Sequence, residues 1–200
     1  MFKLKSLLKE SVDDNQYLSF IQNNNLDSAQ KLVNTYAKSK GYVIGPVKHI
    51  TNNNFTKFDF SKLSKSAVWG PAIYGIISGN WKPGHLSNGK VLNGFVGGKT
   101  IDITKPLDND AINIFSKLIG RNVTEIPFIS LEKRFGSVSS GLSKAGYSSA
   151  IHEGPGSTGT HIAIFDPKMF KLSDVITYDD NKKIIPISQR FNSSNDDIRY

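Results

Sequence analysis

The chain of 200 residues contains no cysteine. A disulfide scaffold and a thiolate metal site are therefore excluded, which fits a reducing compartment. No stretch approaches the roughly 18 apolar residues of a membrane span. Tryptophan and methionine occur only twice each. Lysine and arginine outnumber acidic residues 25 to 17, a formal charge of +8, yet no run of five like charges occurs. A spread basic surface is the plainer reading, and a patch for a polyanion such as nucleic acid is the sharper one. No Gly-x-Gly-x-x-Gly follows a strand pattern, and Gly94-Phe95-Val96-Gly97-Gly98-Lys99 lacks the phosphate-loop spacing. Any nucleotide is held some other way. The four histidines, His49, His85, His152 and His161, include no His-x-x-x-His pair, which argues against zinc. The start, Met1 to Glu10, is basic without a continuous apolar core, so it does not read as a secretory signal. There is no internal repeat.

Hydrophobic residues at 38% and aromatics at 10% are ordinary for a globular protein, and the length allows one domain with a helical preface. Residues 1–41 read as helical: Ala29, Val33, Tyr36 and Ala37 repeat at helical spacing, Asn23-Asn24-Asn25 breaks the chain, and Gly41 closes the second helix. From Tyr42 the texture becomes short apolar runs between irregular loops. Strands are expected over 42–50, with Pro46 at an edge or bulge, over 67–69 and 73–77, over 91–96, and in two closing runs at 146–151 and 160–166, the last stopped by Pro167. Phe55, Phe58 and Phe60 form an aromatic cluster, and 78–90 reads as a loop able to cover a cleft. A helix is expected over 110–119, ended by Gly120, and helical pieces over 130–145. Short strands after a helical start indicate an α+β fold with mixed or antiparallel sheets.

Several segments, in order, resemble the ADP-ribosyltransferase domains of phage and prophage polyvalent proteins, in the diphtheria-toxin and poly(ADP-ribose) polymerase class. They are Val47-Lys48-His49-Ile50-Thr51 with Phe55, Phe58 and Asp59; Trp69-Gly70-Pro71-Ala72-Ile73-Tyr74; Val91 to Val96 with Lys105-Pro106-Leu107-Asp108; and Gly146-Tyr147 with Ile164-Phe165-Asp166-Pro167. Asp174 to Asn181, Ile185 to Asn192 and Asp197 to Tyr200 resemble the tail that commonly trails such domains. The resemblance covers about residues 28–200 and implies two small mixed or antiparallel sheets forming an NAD cleft over residues 42–191. A polar tail, 192–200, is expected to be loosely held.

The resemblance also implies roles. His49 would hold a ribose hydroxyl of NAD, with Ile50 and Thr51 beside it where the family has Gly-Thr. Tyr74 would stack on nicotinamide next to the Gly70 turn, and Ala72 replaces a family glycine. The family's glutamate, which stabilises the oxocarbenium-like centre, falls at His161, a residue without negative charge. Glu153 on the preceding strand is the alternative carboxylate. Lys48 and Arg134 are candidate phosphate partners. What the resemblance implies is a mono-ADP-ribosyltransferase consuming NAD and modifying a host protein or nucleic acid in the bacterial cytoplasm, with possible packaging in the virion and no membrane association. The alternative is an inactive module of the same architecture that binds virion or host proteins. A third option is nucleic-acid binding through the basic surface.

Overall fold

A computed structural model describes residues 2–63, 69–79, 86, 88–120, 135–154, 156 and 158–200, without the side chains of 2–11, 118, 119 and 135–138. Ala67 and Val68 of the strand expected over 67–69, most of the 78–90 loop with His85, and the first residues of the helical pieces expected over 130–145, with Arg134, lie outside the described residues. The fold is α+β. Helices α1 (Phe2–Gln22) and α2 (Leu26–Ser39) lead into a mixed sheet of β1 (Tyr42–Thr51), β2 (Ile73–Ile76), β3 (Lys90–Gly97), β4 (Thr100–Asp102), β5 (Ser149–Glu153), β6 (Thr160–Ile164) and β7 (Phe170–Leu172). Helices α3 (Asn109–Ile119) and α4 (Phe135–Lys144) separate β4 from β5. Among the described residues no helix is long and apolar enough to cross a membrane.

The local signals act as their chemistry dictates. Asn25 caps α2 by accepting the Ser28 amide at 3.2 Å, and Asp108 caps α3 by accepting the Ala111 amide at 2.7 Å. Gly41 and Gly120 take the left-handed conformation just beyond α2 and α3. Pro46 lies where the β1–β3 pairing shifts register, between Ile44 and Val47. Trp69 and Gly70 lie in a turn, and the strand expected over 73–77 forms over Ile73–Ile76.

Among the described residues the strands make one sheet of seven, in the order β4-β5-β6-β2-β1-β3-β7, where two sheets were expected. A seam runs through it all the same. β1 pairs with β3 at seven positions, but β1 meets β2 through the single antiparallel pair Lys48 and Ile76. All ladders are antiparallel except β4–β5. The crossover through α3 and α4 makes that parallel pair possible, since parallel neighbours need a long return.

Three buried clusters organise the layers. One face of the sheet packs Trp69, Ala72, Ala150, Ala163 and Phe165 against Ala111 and Phe115 of α3 and Leu142 of α4. The opposite face carries Val47, Ile73, Val96, Ile162, Ile164 and Phe170, joined by Phe55 and Phe58 of the 52–63 segment and by Ile198. The third cluster unites Tyr17, Val33, Tyr36 and Ala37 of the first two helices with Tyr42, Phe95, Ile187 and Phe191. The helical preface thus shares its core with β1, β3 and the C-terminal segment. Asp14 reinforces this by accepting the Ser188 amide and hydroxyl at 2.8 and 2.6 Å.

The C-terminal residues, expected as a loosely held tail, return to the body at Ile198. Ile198 is buried, its amide donates to the Thr56 carbonyl at 2.7 Å, and its carbonyl accepts the Leu172 amide at 2.8 Å. One aliphatic side chain among polar ones is a weak sequence signal, and it was outweighed there by Asn, Ser and Asp.

Candidate functional site

Register decides which side chains can meet, because directly paired residues share a face and neighbours along a strand alternate. Ile73 pairs with Ile164, Tyr74 with Ala163, and Ile76 with His161. His152 in turn pairs with His161, and Lys48 with Ile76. Lys48, Ile76, His161 and His152 therefore form one row across four strands. Tyr74 lies on the same face, packed against the Trp69 cluster. Tyr74 and His161 are diagonal neighbours, about 7–8 Å apart by sheet geometry.

His49 leaves the sheet on the other face. Its ring meets Phe58, Phe55 and Phe170 edge-on, with centroids at 5.3, 6.3 and 6.4 Å. On the same face Gly75 lets Val47 pack close, since a Cβ there would collide with Val47 Cγ1 and press on Ile162 at 3.2 Å. Glu153 also alternates away from His152 and is exposed on the His49 face. Three strand spacings separate β1 from β5, about 14 Å. The four expected catalytic residues thus divide into two pairs: Tyr74 with His161, and His49 with Glu153 at a distance.

The hydrogen bonds sharpen the division. His49 Nδ1 lies 2.8 Å from the Tyr74 carbonyl, which can only accept. Nδ1 therefore carries the proton, Nε2 holds the lone pair, and the side chain latches β1 to β2 across the seam. Burial lowers the His49 pKa, with the carbonyl bond acting in the opposite sense. The Tyr74 hydroxyl accepts the Trp69 amide at 2.8 Å and donates to the Gly70 carbonyl at 3.0 Å. Gly70 adopts φ 70°, which permits the tight turn this clasp requires. Burial raises the Tyr74 pKa to about 12. The Tyr74 ring is thereby a clamp on its own strand entry.

Ile50 pairs with Val91 and is half-buried, and Thr51 Oγ1 accepts the Asn53 amide at 3.1 Å to close the turn after β1. Ala72 is 3% exposed and belongs to the core. The unexpected members are His152 and Trp69. The His152 ring lies 5.6 Å from Trp69 and 5.9 Å from His161, and its Nδ1 is 2.8 Å from the Glu153 carbonyl. Burial drives the His152 pKa down to about 4 and also lowers that of His161. Both rings are neutral near pH 7. Gly154 closes the turn over them: a Cβ there would come within 2.6 Å of His161 Nε2 and of Thr158 Oγ1. Alternation of Ala150 and His152 along β5 was the available sequence signal for this group.

Among the described residues no group of three His, Asp or Glu is placed to hold a metal ion. No protein-family model, curated protein or solved structure matches the chain.

Proposed function

We propose that the chain is a non-catalytic module of ADP-ribosyltransferase-like architecture that works by binding a virion or host macromolecule. The observation that carries this reading is the division of His49 and Tyr74 between opposite faces of one sheet. Cleaving the nicotinamide–ribose bond needs the leaving group, the ribose and a negative charge held around one substrate. Here the residue at the glutamate position, His161, is neutral and buried beside a second neutral histidine. Glu153 faces away from it. The Tyr74 hydroxyl is occupied by the backbone of its own turn.

A transferase reading retains one specific support. His49 presents its basic Nε2 away from the Tyr74 carbonyl, a position suited to a ribose hydroxyl. Nicotinamide release from labelled NAD separates the two readings. The module reading expects no release above buffer, and none after His161→Glu. Release that His49→Ala abolishes would establish the transferase instead.

A further inference from the structure

The last nine residues, Asn192 to Tyr200, contain one aliphatic side chain, Ile198. It is 1% exposed and packs in the cluster of Val47, Ile162, Ile164 and Phe170, the cluster that Phe55 and Phe58 roof. His49 sits against those same three phenylalanines. The backbone of Ile198 bridges Thr56 on one side and Leu172 of β7 on the other, and Lys57 and Asp197 form an antiparallel bridge. The segment is thus wedged between β7 and the aromatic 55–58 stretch.

Its remaining attachments are polar. Lys171 Nζ, from a side chain 1% exposed, donates to the carbonyls of Asn195 and Asp197 at 2.7 and 2.8 Å. Arg199 grips Asp197 through Nε and Nη2 at 3.0 and 2.7 Å and reaches Asp180 at 2.8 Å. Lys57 and Asp196, 3.7 Å apart, are both more than half exposed. Before this segment stands Phe191, a non-glycine residue at φ 59° that is buried in the separate helical cluster. The chain then turns within Asn192 to Asn195, where Asn192 accepts the Ser194 amide at its side chain and the Asn195 amide at its carbonyl. Phe191 and Ile198 are therefore two anchors in two cores, joined by a polar turn.

We propose that residues 192–200 are a strap that opens as a unit while the sheet stays folded, uncovering the aromatic face on which His49 lies. The physical reason is imbalance. One buried aliphatic side chain and a handful of hydrogen bonds oppose the backbone entropy of nine residues, so this is the segment where local opening separates from global unfolding. The β-strand beneath it loses only one rung, at Leu172. Phe191 remains seated with the helices and confines the opening to the residues beyond it. Opening of the strap does not depend on the binding-module reading, and its test uses no nucleotide.

The test is amide hydrogen exchange of the full chain, residue by residue, over a series of low denaturant concentrations. The amides of Leu172 and Ile198 report the strap directly, and those of β6 report the sheet. The strap account expects the first two to exchange at least about 100-fold faster than the β6 amides and with little denaturant dependence. Ile198→Ala should accelerate them about tenfold further and leave β6 unchanged. Leu172 and Ile198 exchanging at the β6 rate, with the β6 denaturant dependence, would overturn the proposal. That wild-type comparison decides the matter even if Ile198→Ala does not fold. A parallel readout is the rate at which diethyl pyrocarbonate labels His49, with His152 as the buried reference. Ile198→Ala should raise the His49 rate several-fold and not that of His152. Rapid strap exchange without any rise at His49 would refute the uncovering.

Discussion

The two faces of the sheet carry the same kinds of residue under different roofs. On one, Tyr74, His161 and His152 lie with Trp69, Ala150 and Ala163 beneath α3 and α4. On the other, His49 lies among Phe55, Phe58 and Phe170 beneath an irregular segment and the C-terminal strap. A helical roof is made of continuous internal hydrogen bonds and presents whole apolar stripes to the sheet. The other roof is fastened by single rungs, by the buried Lys171 ammonium and by an exposed ion pair at the rim. Polar residues under the first act as core, whereas those under the second lie where the chain can open.

The largest effect that tests this difference is at Trp69. Trp69→Ala should lower stability by about 3–5 kcal/mol, as for a fully buried large aromatic. Phe55→Ala, from the half-buried loop roof, should lower it by on the order of 1 kcal/mol. Urea unfolding of the two variants side by side checks the ordering, and equal losses would erase the contrast between the roofs.

Acid should act through the helix-covered face. The folded pKa of His152 is about 4, below the ordinary histidine value near 6.5. Below pH 6.5 the unfolded chain takes up a proton that the folded chain refuses until about pH 4. Stability is therefore complete above pH 6.5 and falls on acidification, at about 1.4 kcal/mol per pH unit for this one group. His161 and His49, also lowered by burial, push the same way. Urea midpoints at pH 7 and 4.5 should differ clearly less for His152→Gln than for the wild type. Parallel slopes for the two proteins would mean that His152 titrates alike in the folded and unfolded chain, contrary to this account.

Much of the framework was legible in the sequence because it depends on local chemistry. Gly41 and Gly120 as helix stops and the irregularity at Pro46 come from what one residue can do to its own backbone, whereas the caps at Asn25 and Asp108 emerge only in the structure. The candidate site was less legible because it depends on register. His49 and Tyr74 both read as strand residues, and only the pairing of Lys48 with Ile76 fixes which way each points. A slip of one residue would have put them on the same face. The short strands β4 and β7 left no clear pattern either, since three residues such as Thr100-Ile101-Asp102 cannot show a period.

Smaller effects refine the comparison. Gly75→Ala, which drives a methyl into Val47, should cost about 1–3 kcal/mol by overpacking the His49 face. Tyr74→Phe removes the acceptor of the Trp69 amide and should cost about 1–2 kcal/mol with no change in fold, seen as an unchanged circular dichroism spectrum. Lys57→Ala breaks only an exposed pair at the strap rim and should change the unfolding free energy by less than about 0.5 kcal/mol. A larger loss there would mean that the strap is held more by charge than by Ile198.

The central claim, that His49 and Tyr74 serve opposite faces and no shared substrate, is tested most directly by calorimetric titration of the full chain with NAD up to millimolar concentration. The titration is run on the wild type, His49→Ala and Tyr74→Ala, each shown to be folded. The account predicts no saturable heat in any of them. Saturable binding by the wild type that both substitutions abolish would require one pocket reached by both side chains, and would contradict it.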